Sequence, residues 1–347
     1  MLRGCNEAAT NADDMSERKD RLPREALEEI CAGFGLLTSD LAELEAFENF
    51  VFECGETILR ITHRSHRLPE QVEAEMEWTD FLKANGFGVA TSLFSPSGQR
   101  IVPTGDREFL GVLLPRVCGD SVHGLENAHR WTPELFRLWG KTVGRLHSTT
   151  RSFQPTGPTR HQWHEDRYLA NWPRYAGANI PQLQEPWQKL IGQLQGLPRT
   201  PDNYGLIHCD LHSKNFFLDG DTLQFFDTDD SHYNWFIYGV ATIFLSVAHN
   251  PICRDDPPAF VRDFARRFWT GYQSEFQLAD SEIGRLPLFL KLRQYLLLGA
   301  VLHKWDFHKL EGEKLRLVER FRQDAKNEGL PLGMNSEDWL STSKQAD

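Results

Sequence analysis

The sequence predicts an α+β fold of two lobes: a small N-terminal lobe with an antiparallel sheet and a helix, and a larger, mostly helical C-terminal lobe. Three observations predict this fold. The chain has 347 residues, more than the roughly 250 to 300 that one hydrophobic core accommodates. Alternating apolar residues on both sides of Gly55 predict a β-hairpin. Beyond Asp230 the apolar residues recur with helical spacing.

The predicted N-terminal lobe, residues 23–115, alternates helix and strand signals. Apolar runs predict three strands: Phe50–Cys54, Thr57–Thr62 and Phe109–Leu114. Amphipathic periodicity predicts two helices: Pro23–Ala32 and Leu68–Ala84. Glu75 shares a helical face with Trp78 and Leu82, where a carboxylate is costly unless it meets a cation. Arg60, on the second strand, is the predicted partner of Glu75.

The predicted C-terminal lobe, residues 116–340, follows an irregular stretch at Pro115–Asp120. Thr132 and Pro133 form a good helix start, because threonine caps a helix and proline fits its first position. Residues 155–201 are rich in Trp, Pro and Gln and only loosely periodic, so they predict a substrate-facing insertion. Later runs predict helices within four segments: Phe236–Val247, Ala259–Tyr272, Leu286–Lys304 and Glu313–Ala325.

Composition excludes several classes of protein. A net charge of −11 argues against nucleic acid as the main partner, because phosphate backbones are bound by basic surfaces. No run approaches the roughly 18 apolar residues of a membrane span. Residues 1–22 lack the apolar segment of a signal peptide and predict a disordered leader, within which Met15 offers an alternative start. Six cysteines without a C-x-x-C pair fit reduced thiols and predict a cytoplasmic location.

The most informative segment is H-x-D-L-x-x-x-N from His208 to Asn215, followed by an apolar pair and Asp227. Phosphoryl transfer uses such a set: one carboxylate accepts the proton of the attacking hydroxyl, and an amide and a second carboxylate bind Mg²⁺. Apolar runs on both sides of the loop, and the turn at Asp219-Gly220-Asp221, predict strands that hold Asp210 and Asn215 and bring Asp227 to the same place.

These residues resemble the aminoglycoside phosphotransferase, choline kinase and homoserine-kinase-like group, which has the protein-kinase-like fold. The resemblance covers about residues 40–305, and its strongest matches are the segment from His208 to Asn215 and Phe226–Asp230. Weaker matches lie in the nucleotide loop, the cationic strand, its partner helix and the helix before the insertion: Asn49–Phe52, Ile58–Arg60, Glu75 with Leu82, and Val143–His147.

The resemblance implies an ATP-dependent kinase that uses Mg²⁺ and transfers phosphate to a hydroxyl of a small molecule. Asp210 would be the catalytic base, and Asn215 and Asp227 would be the Mg²⁺ ligands. Seven residues are implied in nucleotide binding: Asn49, Phe50, Arg60, Glu75, Pro115, Arg116 and Val117. Arg60 would be the phosphate cation held by Glu75, and the last three residues would lie beside adenine.

The chain departs from the pattern of that group at three places. Arg60 stands where many relatives have lysine, and the nucleotide loop has no glycine-rich run. Gly239 stands where such sequences often have aspartate. This last departure keeps open an alternative, a catalytically silent nucleotide-binding pseudokinase that acts as a scaffold or regulator.

The phosphate acceptor is predicted only as a class. Carboxylates near aromatic faces suit an amine or a quaternary ammonium, and five residues are candidates for such a site: Asp229, Asp230, Trp235, Trp163 and Glu165. An amino alcohol, an aminoglycoside-like sugar and homoserine all satisfy this pattern. A zinc site at His208, Cys209 and His212 lacks a suitably spaced fourth ligand, and a hydrolase at Ser213 lacks G-x-S-x-G. ATP versus GTP preference and oligomeric state stay open.

Overall fold

The computed structural model describes residues 22–253, 256–326, 330 and 334–340. The chain divides into two compact units. The first ends at Cys118 and also includes Pro155–Thr159, and the second contains Gly119–Gln154 and the residues from Arg160 onwards. The predicted leader, residues 1–22, lies outside the described residues except for Leu22.

The strands of the first unit are β1 (Ala42–Leu44), β2 (Phe50–Cys54), β3 (Thr57–His63), β4 (Gly88–Val89), β5 (Val102–Pro103) and β6 (Phe109–Pro115). All of these except β4 form a five-stranded antiparallel sheet in the order β1-β2-β3-β6-β5. The helices of this unit are α1 (Arg24–Phe34) and α2 (Pro69–Ala84). The three strands and two helices predicted for this part of the chain are therefore present.

Side chains alternate between the two faces of this sheet, and two separate clusters are buried. One cluster joins α1 to β3 and β6 and includes Ile30, Phe34, Leu59, Ile61 and Leu113. The other joins α2 to β6 and includes Val72, Met76, Leu110 and Val112. Arg60 lies between Leu59 and Ile61 in β3 and stands opposite Val112 in β6. Alternation therefore turns the Arg60 side chain toward α2.

The segment Pro155–Thr159 is joined to α2 by hydrogen bonds. Glu77 accepts them from the backbone N–H and the hydroxyl of Thr156, at 2.6 Å each, and from the backbone N–H of Gly157 at 3.4 Å. These three contacts connect part of the predicted insertion to the first unit.

The second unit is mostly helical. Its helices are α3 (Pro133–Thr150), α4 (Arg167–Ala170), α5 (Gln184–Gln195), α6 (Phe236–Ala248), α7 (Pro257–Glu275), α8 (Asp280–Ile283), α9 (Leu286–Lys304), α10 (Gly312–Lys326) and α11 (Ser336–Leu340). Its strands are β7 (Asp120–Ser121), β8 (Tyr204–Ile207), β9 (Phe216–Asp219), β10 (Thr222–Phe225) and β11 (His232–Trp235). β8 pairs with β11, and β9 pairs with β10 and β7, all antiparallel.

The hairpin of β9 and β10 turns at Gly220 and Asp221, where the sequence predicts it. Gly220 has a φ of 56°, a left-handed conformation that glycine adopts without steric cost. Phe216 pairs with Phe225 at the open end of the hairpin. One step further, the N–H of Phe226 donates to the carbonyl of Asn215 at 3.0 Å. The hairpin therefore brings Asn215 next to the residue that precedes Asp227.

The region between residues 155 and 201 contains more regular structure than its weak periodicity predicts. It includes α4 and single helical turns of the 3₁₀ and π types, which are too short to give a repeat in the sequence. It also includes α5, whose buried Trp187, Leu190 and Leu194 recur with helical spacing that the sequence analysis missed. Trp163, Trp172 and Trp187 of this region are buried, and the rings of the last two stack at 4.8 Å. Aromatic packing therefore holds this region together.

Helices α3 and α7 approach each other closely enough for their backbones to touch. Thr132 caps α3 as predicted, because its hydroxyl accepts from the N–H of Leu135 at 3.3 Å. A Cβ added to Gly140 of α3 would lie 1.9 Å from the carbonyl oxygen of Phe268, and one added to Gly271 of α7 would lie 1.9 Å from that of Arg137. Only glycine fits at these positions without moving a helix.

Among the helices of the described residues, none has the length and apolarity needed to cross a bilayer.

We expect Gly140→Ala to lower the free energy of unfolding by about 1–3 kcal/mol, the usual range for overpacking a tight core. Gly192→Ala in α5 is the matched control, because its added Cβ has no atom within 4 Å other than those of its own helix backbone. That change should be neutral or stabilise by up to about 1 kcal/mol, since alanine favours a helix over glycine. Urea denaturation followed by circular dichroism measures both. Equal stability of the two variants would contradict the close packing of α3 and α7.

Candidate active site

The loop that carries Asp210 follows β8 directly and is fixed at both ends. The Nε2 of His208 donates to the carbonyl of Phe226 at 3.0 Å, and its Nδ1 accepts from the N–H of Asp210 at 3.4 Å. The amide of Asn215 closes the loop by donating to the carbonyl of Asp210 at 2.9 Å. His208 therefore connects the start of the loop to the strand end that precedes Asp227.

Two residues of this region have left-handed backbone conformations. Cys209 has a φ of 62° and Asp227 a φ of 58°, and such conformations cost a residue with a Cβ roughly 1–3 kcal/mol. Cys209 is completely packed, with its thiol 3.5 Å from Nε2 of His232, and burial raises the pKa of that thiol well above its usual range. Backbone strain thus lies directly before Asp210 and at Asp227 itself, where the surrounding packing maintains it.

The Asp210 carboxylate is largely buried and lies against a guanidinium and an imidazole. One oxygen binds the guanidinium of Arg293 from α9, and the other lies 3.3 Å from Nε2 of His212. Burial alone would raise the pKa of Asp210, but the charges of His212 and Arg293 outweigh it and hold that pKa well below its usual range. Asp210 in turn raises the pKa of His212 despite the burial of the imidazole. Asp210 is therefore an ionised carboxylate.

The orientation of the Asn215 side chain is set by its own hydrogen bonds. Its Nδ2 donates to the carbonyl and, at 3.2 Å, to the carboxylate of Asp210. Since both contacts use the nitrogen, the amide oxygen is directed away from Asp210 and is left for another donor or a cation. Asp227, exposed and two residues beyond the partner strand of the hairpin, supplies a carboxylate nearby. An amide oxygen with a carboxylate is a donor set that a hard divalent cation accepts.

The side chains considered for zinc are engaged elsewhere. Both ring nitrogens of His208 have partners, and burial lowers its pKa, so it is a neutral, structural imidazole.

Within the described residues, one group of three has potential metal-ligand atoms within 4.8 Å of one another, and it consists of His161, Asp166 and His232. Asp166 caps α4 and both nitrogens of His232 have hydrogen-bond partners. Asp166 and His232 therefore have structural roles in the described conformation.

Arg60 and Glu75 form the ion pair that the sequence predicts in the first unit. Nη1 of Arg60 donates to Oε1 of Glu75 at 2.9 Å, and Nη2 donates to Oε2 at 2.7 Å. Both side chains are about 95% buried. The paired geometry uses the planar fork of arginine, which a lysine does not have.

The other residues predicted to bind nucleotide lie in the first unit at the ends of strands. Asn49 precedes β2 and its side-chain oxygen accepts from the hydroxyl of Thr62 at 2.8 Å, while Phe50 packs edge-on against Phe109. Pro115 ends β6, and the backbone N–H of Arg116 donates to the carbonyl of Glu56 at 2.8 Å. Val117 follows in an irregular, half-buried position.

The two tryptophans predicted to offer faces to the acceptor do not do so in this structure. Trp163 and Trp235 are completely buried, with ring centroids 5.4 Å apart. The indole N–H of Trp235 donates to the carbonyl of Pro198 at 3.0 Å. An indole without exposed surface cannot contact a ligand, so both residues belong to the core.

The three predicted acidic candidates differ in exposure. Glu165 is exposed and accepts from the backbone N–H of Gln162 at 2.7 Å. Asp230 is half-buried, whereas Asp229 is buried. The backbone carbonyls of Asp229 and Ser231 accept hydrogen bonds from the buried guanidinium of Arg160. Glu165 and Asp230 are therefore the acidic candidates with surface left for a ligand.

Gly239 faces the imidazole of His147. A Cβ at this position would lie 3.3 Å from Nε2 of His147, and both residues line a small cavity with Ile207 and His208. His147 is held by the hydroxyl of Tyr272 at 2.8 Å from its Nδ1, and burial lowers its pKa to about 3. A side chain at position 239 would therefore stand directly against a neutral histidine.

The comparisons with known proteins agree on one family. The model of the phosphotransferase enzyme family (APH) matches residues 41–275. An amicoumacin kinase of Bacillus subtilis (strain 168) is 32% identical over 317 residues, which cover 89% of this chain and 93% of that protein.

Solved structures show the same likeness. An amicoumacin kinase in complex with AMP-PNP, Ca²⁺ and Ami has a TM-score of 0.84 at 26% identity and covers 94% of this chain and 99% of its own. A microcompartment-associated aminopropanol kinase shares the fold, with a TM-score of 0.66 at 22% identity over 86% of this chain and 94% of its own. The chain therefore belongs to the phosphotransferase enzyme family.

Proposed function

We propose that this protein transfers the γ-phosphate of ATP to a hydroxyl group of a small, amine-bearing molecule. The observation that carries the proposal is the ionised Asp210 carboxylate, held at the end of β8 within hydrogen-bond reach of Asn215. A carboxylate in a phosphotransferase can accept the proton of an attacking hydroxyl. The likeness to an amicoumacin kinase over most of the chain supports the reaction class.

The acceptor we favour is amicoumacin or a similar amino-hydroxy compound. This choice rests on the amicoumacin kinases among the relatives and on the carboxylates of Asp230 and Glu165, which keep exposed surface. Carboxylates attract the ammonium group of an amine. Trp163 and Trp235 take no part in this recognition, because both are buried.

In the proposed reaction the acceptor hydroxyl lies against Asp210. Its oxygen forms a bond to the γ-phosphorus, the bond from that phosphorus to the bridging oxygen breaks, and ADP leaves. The hydroxyl proton passes to Asp210, whose negative charge at the start makes it a competent acceptor. The protein forms no covalent bond to the substrates in this reaction, so much of the rate enhancement comes from aligning the hydroxyl with the γ-phosphate.

Asn215 and Asp227 are the proposed ligands for divalent cations, with Mg²⁺ as the expected ion. The relative solved with AMP-PNP and Ca²⁺ supports the use of a nucleotide with a divalent metal. When bound, such ions would neutralise charge on the β- and γ-phosphates. The amide oxygen of Asn215 is directed away from Asp210 by the two bonds of its nitrogen, which suits this role.

Nucleotide binding is proposed for the first unit. Arg60, which Glu75 fixes through two hydrogen bonds, would contact the phosphates of the nucleotide. The backbone near Asn49 and Phe50 would cover those phosphates, and Pro115 to Val117 would lie beside adenine.

We also propose a cytoplasmic location, because ATP is available there. The described cysteines Cys31, Cys54, Cys118 and Cys209 are free thiols, which agrees with a reducing compartment.

We expect the purified protein to release ADP in the presence of amicoumacin or a related amino-hydroxy compound, and not with acceptors that lack an amine. The test is a coupled ADP-release assay with amicoumacin, 1-amino-2-propanol, ethanolamine, choline, homoserine and an aminoglycoside, with glycerol as the amine-free control. Mass spectrometry of the product confirms a phosphate on the hydroxyl. Turnover on glycerol equal to that on every amine would overturn the proposed acceptor class, and no turnover on any compound would count against the proposed activity.

Asp210→Asn is expected to reduce turnover by about 10²- to 10⁴-fold, because the amide cannot accept the hydroxyl proton. The nucleotide affinity should stay close to that of the wild type, since Asp210 contacts no phosphate in the proposed reaction. Steady-state kinetics and calorimetry with AMP-PNP measure the two quantities. Near-normal turnover of this variant would exclude Asp210 as the base.

Asp227→Ala should remove most of the Mg²⁺-dependent affinity for ATP, and Asn215→Ala should weaken it less. A carboxylate both coordinates and neutralises the cation, whereas an amide only coordinates it. Calorimetric titration with ATP, with Mg²⁺ and with EDTA, separates the metal-dependent part of the affinity. Identical MgATP affinity for wild type and Asp227→Ala would contradict the metal role.

The Arg60 and Glu75 side chains should be energetically coupled in MgATP binding. Removal of either partner leaves the other charge buried without its counterion. A double-mutant cycle of Arg60→Ala and Glu75→Ala is therefore expected to give a coupling of about 0.5–3 kcal/mol. The cycle is measured as MgATP dissociation constants of the four proteins, and strict additivity would mean that the ion pair does not support nucleotide binding.

A further inference from the structure

Arg293 reaches the Asp210 carboxylate from a distant part of the sequence. It lies within α9, which is otherwise largely apolar, and one of its Nη atoms donates to Oδ1 of Asp210 across 83 residues of sequence. The two side chains expose 11% and 17% of their surface. Two opposite charges so little exposed to water interact more strongly than a surface pair.

The contacts of Asp210 divide unequally between its two carboxylate oxygens. Oδ2 faces two donors, Nδ2 of Asn215 at 3.2 Å and Nε2 of His212 at 3.3 Å. Oδ1 has Arg293 as its donor among the described residues. Each carboxylate oxygen accepts about two hydrogen bonds. The two contacts of Oδ2 therefore use its capacity, whereas Oδ1 can accept one more hydrogen bond. An acceptor hydroxyl would therefore donate to Oδ1, next to the guanidinium.

We propose that Arg293 is a positioning residue of the proposed phosphotransferase: it fixes the Asp210 carboxylate so that Oδ1 faces the acceptor hydroxyl. The inference rests on the proposed function, because it concerns the oxygen that receives the acceptor's proton. It extends that function by naming the reactive atom and the helix that controls its position.

The surroundings of Arg293 keep it charged and in place. Burial would lower the pKa of its guanidinium, but Asp210 and Tyr238 of α6 raise it, with a further contribution from Asp230. Tyr238 is completely buried, and α6 packs along α9. The cation is thus fixed to a rigid helix pair, which is a more precise support for a reactive group than a surface loop.

The first test is kinetic and compares three variants of Arg293. Arg293→Met is expected to lower kcat about 10²-fold, the scale of a reacting group displaced by about 1 Å, while KM for MgATP stays unchanged. Arg293→Lys should recover part of this loss, because it restores the charge without the planar fork. Turnover of Arg293→Ala should rise when guanidinium ion is added at a concentration that does not unfold the protein.

The matched control is Arg285→Met. Arg285 precedes α9 and binds the carboxylate of Glu282, and it lies about 12 Å along the helix axis from Arg293. We expect wild-type kinetics for this control. A loss of kcat as large as that of Arg293→Met, or an Arg293→Met variant with normal kcat, would overturn the proposal.

The second test needs no substrate and therefore separates this inference from the proposed function. In a thermal-unfolding cycle, Arg293→Met and Asp210→Asn should each lower Tm, and the double variant should have a higher Tm than the sum of the two shifts predicts. Additive shifts would show that Arg293 does not hold Asp210. No turnover by the wild type on any acceptor would count against the proposed function, and the cycle would still decide whether the two side chains are coupled.

Discussion

The requirement that a largely buried carboxylate keep its charge is the constraint on which the active-site region depends. Transfer of an isolated carboxylate out of water costs several kcal/mol unless cations and hydrogen bonds compensate. For Asp210 the compensation comes from α9 through Arg293 and from its own loop through His212 and Asn215. The positions of a helix and a loop are thus linked through one side chain. Any change that moves α9 also changes the electrostatics of that carboxylate.

The backbone around the site is equally constrained. Left-handed conformations at Cys209 and Asp227 persist because His208 connects the loop to the end of the β9–β10 hairpin. The hairpin register places Asn215 beside Phe226, so the two proposed metal ligands are positioned by strand pairing. Rigid strands and a strained backbone thus position the side chains of Asp210, Asn215 and Asp227 with few residues.

Much of the site is predictable because its signals are local in the sequence. The spacing from His208 to Asn215 fixes a loop, and the turn at Gly220 fixes a hairpin. Arg60 and Glu75 follow from strand alternation and helical periodicity, which together place both side chains between β3 and α2. The phosphotransferase family and the two-part α+β fold follow from these same segments.

The remaining features depend on packing that no short window of sequence contains. Arg293 joins the site through the docking of α9, and its only sequence signal is a charge within an apolar helix. The burial of Trp163 and Trp235 depends on contacts among segments far apart in the chain, so their composition alone gave the wrong environment. The closeness of Gly239 in α6 to His147 in α3 is likewise a contact between two distant segments that the sequence does not reveal.

Because Pro155–Thr159 belongs to the first unit, that unit is completed late in the synthesis of the chain. That unit is complete only when the chain has passed through α3 and returned, because Glu77 needs Thr156 and Gly157 as hydrogen-bond donors. During synthesis on the ribosome, the sheet and α2 therefore wait for about forty further residues before their last partners emerge from the exit tunnel. A fragment that ends at Cys118 would lack these donors, and because the first unit is discontinuous in sequence, no single cut of the chain yields both units with all of their residues.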